Sequence, residues 1–119
     1  MLLDLHHVQL AMPEGQEDVA RAFYGGALGL PEVEKPAALQ GRGGVWFETG
    51  ALRLHLGVEA PFTPARKAHP AFRTGDLADA VRRLKAAGLV VRDGGALPGL
   101  VRVYVDDPFG NRIEILETR

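Results

Sequence analysis

The chain has 119 residues, enough for one domain with a real core, and a net charge of −1 with acids and bases interspersed. That balance offers no basic field to nucleic acid or to an anionic membrane. No stretch approaches the ~20 apolar residues of a membrane span, and the start MLLDLHH lacks a signal-peptide run, so a cytoplasmic location is expected. The absence of Cys and Ser removes disulfides, thiolates and the serine nucleophile, leaving His, carboxylates, Tyr and Arg for any chemistry.

In chain order, Leu2 to Met12 alternates like a strand, with Val8, Leu10 and Met12 on one face beside His6, and His7, Gln9 and Ala11 on the other. Pro13-Glu14-Gly15 breaks it. Gln16 to Leu28 reads as a helix with acids in its first turn and Val19, Phe23 and Ala27 at four-residue spacing, ended by Gly29. Pro31 to Leu39 is a weaker strand, followed by a turn at Gly41 to Gly44, a strand at Val45 to Thr49, the tight Gly50-Ala51 connection and a strand at Leu52 to Glu59. In that last strand Leu52, Leu54, Leu56 and Val58 oppose Arg53, His55, Gly57 and Glu59. Ala60 to Lys67, with two prolines, reads as a linker.

The second half begins with a strand at Ala68 to Thr74. Asp76 then caps a helix whose buried stripe is Leu77, Val81 and Leu84, and Gly88 ends it. Val103 to Glu117 forms two strands joined by the hairpin loop Asp106 to Asn111, with Glu114 opposite Ile113 and Ile115. Asp18-Val19-Ala20, Val45-Trp46-Phe47-Glu48 and Arg53-Leu54-His55-Leu56 recur as Asp76-Leu77-Ala78, Val103-Tyr104-Val105-Asp106 and Arg112-Ile113-Glu114-Ile115, at offsets of 58, 58 and 59 residues. A near-constant offset over separate segments reads as two copies of a βαβββ unit: module one at about 1–59, the linker at 60–67 and module two at 68–119.

The repeat gives meaning to polar residues that are individually ordinary. A lone carboxylate or histidine on a strand is usually a solvated or hydrogen-bonded group. Here His7 and His69 fall in the first strands of the two units, and His55 and Glu114 in the fourth, all on the face opposite the aliphatics. Imidazole nitrogen and carboxylate oxygen suit a divalent ion such as Zn, Ni, Mn, Co or Fe(II). His6 has the opposite parity and is expected at a boundary or in the core. Gln9, Trp46, Arg53, Arg73, Arg102 and Tyr104 share the face of the four candidate ligands. Guanidiniums there would suit an anionic small-molecule substrate, because Arg pairs bidentately with carboxylate or phosphate.

The segments HHVQLAMP, FYGGALGL, LRLHLGVE, HPAF and above all DPFGNRIE resemble the vicinal oxygen chelate superfamily of glyoxalases, bleomycin-resistance proteins and extradiol dioxygenases, over nearly the whole chain. The resemblance implies an α+β fold in which paired βαβββ modules form a curved, cup-like mixed sheet with helices on the outer face. It also implies a homodimer and a divalent metal held by first- and fourth-strand residues. Carried over by position, His7, His69 and Glu114 match the family's His, His, Glu triad, and His55 stands where glyoxalase I has a fourth ligand, there usually Glu. The function implied is a metal-dependent isomerase or lyase that stabilises an enediolate, with Glu114 as catalytic base. The alternative within the same family is a metal-free, bleomycin-resistance-like protein that binds a flat compound against Trp46 and Phe109.

Overall fold

The computed structural model describes residues Met1–Arg119. Its elements are β1 (Val8–Met12), α1 (Glu17–Ala20) continued by a π-helical turn (Arg21–Ala27), β2 (Glu32–Val33), a 3-10 turn (Ala37–Arg42), β3 (Val45–Thr49) and β4 (Leu52–Val58). They continue with β5 (Ala71–Arg73), α2 (Leu77–Ala86), β6 (Arg92–Leu97), β7 (Leu100–Asp106) and β8 (Arg112–Thr118). The chain divides into a first unit, Met1–Pro64, and a second, Ala65–Arg119. Each is a βαβββ motif with a four-stranded mixed sheet, so the fold is the expected α+β class, without a closed barrel.

In the first unit the strand order is β1-β4-β3-β2, with β1 parallel to β4 and the other pairs antiparallel. Alternation turns Leu10, Met12, Val45, Phe47, Leu54 and Leu56 to one face, where all are buried together with Ala20, Phe23 and Tyr24 of the helical segment. Removing each large side chain from water contributes about 1.5–3 kcal/mol, so this face holds the unit together. The other face carries Gln9, Trp46, Arg53 and His55. The 3-10 turn returns to β3 through Gly43 and Gly44, at φ 74 and 84. At Gly44 an added Cβ would lie 2.2 Å from the Leu56 carbonyl oxygen, so only glycine permits this approach.

The second unit has the order β5-β8-β7-β6, with β5 parallel to β8. Asp76 caps α2 by accepting a hydrogen bond from the Asp79 N–H at 3.0 Å. The buried Leu77 and Leu84 of that helix belong to the same core as Val105, Ile113 and Ile115. The β7–β8 loop is held by a buried polar network. The Asp107 carboxylate accepts from the N–H groups of Phe109 (2.9 Å) and Asn111 (2.8 Å) and from Asn111 Nδ2 (2.9 Å). Asn111 Oδ1 accepts from the Ala65 N–H at 2.9 Å. The DPFGN motif therefore carries the hairpin and fixes where β8, and with it Glu114, begins.

The structure corrects several sequence boundaries. β1 starts at Val8 rather than Leu2, and Leu2, Leu3 and Leu5 are exposed. By register His6 is level with Leu52, the first residue of β4, so the residues before it run past their only neighbouring strand. His7 precedes β1, and His69 likewise precedes β5, which is strand only at Ala71–Arg73, instead of lying within these strands. His6, expected at a boundary or in the core, is exposed for the same reason. The helix over Gln16 to Leu28 is α-helical for one turn only. The Leu28 N–H bonds to the Phe23 carbonyl five residues back, and this wider turn buries the adjacent Phe23 and Tyr24 while leaving Val19 exposed. Pro31 to Leu39 is strand only at Glu32–Val33, because Pro36 starts the 3-10 turn through Ala37, Ala38 and Leu39.

Candidate functional site

In the first unit, antiparallel register sets Trp46 directly across from His55. Their rings stack with centroids 3.7 Å apart and planes 3° from parallel, and His7 stacks on His55 at 4.6 Å and 24°. Covered by these rings, His55 is buried. Burial pushes its imidazole below the ordinary value of 6.5; the hydrogen bond and charge of Glu48 oppose this, and the charges of His7 and His6 reinforce it. Its Nε2 lies 3.5 Å from Glu48 Oε2. His7 Nδ1 is 3.0 Å from His6 Nδ1.

In the second unit, His69 Nε2 lies 2.9 Å from Oε1 of the buried Glu114. His69 Nδ1 lies 2.9 Å from the Lys67 carbonyl oxygen, which can only accept, so Nδ1 carries a proton and donates. Arg102 braces the carboxylate. Its Nη1 is 3.6 Å from Glu114 Oε1 and 3.1 Å from the Tyr104 hydroxyl, and its Nε donates to the Gly94 carbonyl at 2.9 Å. Tyr104 lies between two guanidiniums, those of Arg102 and Arg112, at 5.5 and 5.2 Å from its ring centroid.

The donor types fit a divalent ion, and the His69 arrangement fits particularly well. A ring whose Nδ1–H is anchored on a backbone carbonyl presents its other nitrogen as a lone pair, the usual orientation of a metal-ligating histidine. Two ligands of a tetrahedral zinc, each ~2.0–2.2 Å from it, lie about 3.4 Å apart, so His69 Nε2 and Glu114 Oε1, at 2.9 Å, would have to separate slightly to share one ion. The His7 and His55 rings are near-parallel, so their in-plane lone pairs do not converge, and His7, exposed ahead of β1, has to turn before both nitrogens can serve one ion. The structure assembles these donors in pairs, and no three of them form a metal-binding cluster.

The other predicted residues divide between the two units. Gln9 and Trp46 line a cavity of about 260 Å³ in the first unit with Lys35, Leu39, Arg42, Gly43, Leu56, Gly57 and Val58. Arg53 instead donates to the His6 carbonyl at 3.2 Å and lies 4.0 Å from Glu48. Arg73 is exposed on β5, on the Glu114 side of its sheet. Sequence reasoning did not single out Lys35, Arg42 or the His55 partner Glu48. The first two lie in irregular backbone where periodicity carries no signal. Glu48, however, could have been found from its place two residues after Trp46 on the same face.

A two-unit βαβββ chain with His and carboxylate side chains at repeat-equivalent positions defines a fold class, and the comparisons with known proteins identify its family. The chain belongs to the Glyoxalase/Bleomycin resistance protein/Dioxygenase superfamily, whose family model matches residues 4–115. A protein assigned to the glyoxalase family from Bacillus anthracis is 45% identical, with a TM-score of 0.96 over 100% of this chain and 98% of that one. A glyoxalase/dioxygenase from Nostoc punctiforme is 28% identical, with a TM-score of 0.78 over 98% of this chain and 91% of its own. Lactoylglutathione lyase from Agrobacterium tumefaciens is 26% identical, with a TM-score of 0.73 over 96% and 92%. No curated protein matches the chain.

Proposed function

We propose that the protein is a metal-dependent, glyoxalase-like isomerase or lyase acting on a small substrate with two adjacent oxygens. The observation that carries this reading is the His69–Glu114 pair, an imidazole anchored through Nδ1 on a backbone carbonyl and set beside a buried carboxylate that Arg102 also approaches. His7 and His55 of the first unit and His69 and Glu114 of the second are the candidate ligands, and a bound ion would supply Lewis-acid polarisation of the substrate oxygens. Glu114 is the base. Both of its polar contacts fall on Oε1, which leaves Oε2 to take the proton from the carbon beside the carbonyl and return it to the neighbouring carbon through an enediolate. Arg102, tied to Gly94 and Tyr104, holds the carboxylate in position. The likeness to the Agrobacterium lactoylglutathione lyase supports a 2-oxoaldehyde hemithioacetal as the first substrate to try.

A homodimer completes the proposal. β1 and β5 stand at sheet edges, and Leu2, Leu3 and Leu5 project beside β1, an exposed edge with apolar residues that a second copy would cover. A single monomeric species in sedimentation equilibrium at micromolar concentration would contradict it. The functional reading is tested by a turnover screen of 2-oxoaldehyde hemithioacetals and CoA thioesters, each with and without added divalent metal. Metal-dependent turnover is the expected result. Its absence, together with Trp46-dependent binding of flat compounds to metal-free protein, would replace the enzyme by the binding module.

A further inference from the structure

The cavity of the first unit has a cationic rim that the proposed chemistry does not use. Gly43 and Gly44 turn the 3-10 segment back over β4, and this brings Arg42 and Lys35 to the same space as Gln9, Trp46 and Gly57. Lys35 Nζ donates to the Gly43 carbonyl, which holds the ammonium at the rim. Arg42 makes no ion pair or hydrogen bond within the chain, and no acid lines the cavity. Glu17, the carboxylate that approaches Gly43, is taken by the Gly44 N–H at 2.9 Å. The aromatic wall is equally defined. His55 covers one face of Trp46 at 3.7 Å, so a bound ring has the remaining face. The Gln9 amide lies across Gly57, with Nε2 2.5 Å from where a Cβ would stand, and supplies a hydrogen-bonding group at the floor.

We propose that this cavity is a binding pocket for a small planar carboxylate, an aromatic or conjugated acid. Its anionic end pairs with Arg42 and Lys35 and its flat part lies along Trp46. The volume of about 260 Å³ falls just below the range of drug-sized pockets and suits a compact ligand. The inference rests on reading Gln9 and Trp46 as substrate contacts, and it gives that substrate a chemical class.

Trp46 is the single tryptophan and lines this pocket, so its fluorescence in metal-stripped protein responds to a ligand there, and the Arg42 and Lys35 substitutions below separate the pocket from the His55 side of the ring. Metal-stripped full-length protein is titrated with cinnamate and with its neutral isostere cinnamamide, with calorimetry alongside. Cinnamate should quench Trp46 saturably and bind at least ~10-fold more tightly than the amide, since a charge-assisted pair is formed. Arg42→Gln should lower cinnamate affinity by about 10-fold and Lys35→Gln by about 3-fold, each leaving the amide unaffected. Equal affinities for acid and amide, or an Arg42→Gln variant that binds cinnamate like the wild type, would overturn the proposal. Cinnamate binding that requires added metal would also overturn it while leaving the metalloenzyme reading intact. Charge-dependent binding by a protein with no affinity for metal would do the reverse.

Discussion

Replacing Glu114 by Gln separates chemistry from scaffolding, because the side chain keeps its shape while losing its charge and its capacity to accept a proton. Glu114 is 6% exposed and meets His69 Nε2 at 2.9 Å and Arg102 Nη1 at 3.6 Å. Weakening a charge-assisted hydrogen bond costs about 1.5–3 kcal/mol, and removing a desolvated carboxylate returns part of that. The net loss of stability should stay under about 2 kcal/mol, a fall in Tm of less than ~10 °C for a chain of this size. Loss of a general base, by contrast, lowers turnover by ~10²–10⁴-fold. Wild type and variant are compared for turnover of a 2-oxoaldehyde hemithioacetal with saturating metal, with thermal melts of both. A variant that melts within that window yet loses about 100-fold or more in turnover supports the assignment. Turnover retained within about tenfold of wild type refutes Glu114 as base.

The lowered His55 pKa predicts a pH dependence in metal-free protein: below 6.5 the unfolded chain takes up a proton that folded His55 resists, so stability present above 6.5 is lost as the pH falls from there toward the folded value. His55→Phe keeps a ring between Trp46 and His7 and should flatten that slope in urea melts on either side of 6.5, whereas an unchanged slope would assign it elsewhere. Gly44→Ala places a Cβ 2.2 Å from the Leu56 carbonyl oxygen at φ 84 and should destabilise by about 3 kcal/mol or more in urea titration. Gly41→Ala, with nothing within 4 Å of the added Cβ, serves as the control and should melt like the wild type, and equal melts for both variants would refute the close-approach argument.

How legible the fold is from the sequence depends on how each segment is stabilised. β3, β4, β7 and β8 alternate because one face is buried, and Asp76 precedes α2 as a cap, so both are readable. β6 contains Asp93-Gly94-Gly95 and carries no strand signal of its own, so only the repeat anticipates a strand there. The π-helical turn is invisible to a 3.6-residue period because the need to bury both Phe23 and Tyr24 overrides local spacing. Among the polar residues, the repeat singles out His69 and Glu114, and the structure sets them in contact from opposite ends of the second unit. The stack of His7, His55 and Trp46 depends on register across β3 and β4, and the cation pair of Lys35 and Arg42 depends on the path of a glycine turn. Neither relation is encoded in local periodicity.

The central claim is that His7, His55, His69 and Glu114 are metal ligands, and calorimetric titration of chelator-treated protein with Zn, Ni, Mn and Co tests it most directly. The expected result is about one divalent ion per site bound far more tightly than millimolar, with affinity falling toward acid pH, since neutral imidazoles are required. Affinity should also be weakened in His7→Ala and in Glu114→Gln alike, the latter still binding at raised metal concentration. No binding tighter than millimolar by any of the four metals, or tight binding indifferent to both substitutions, would contradict it.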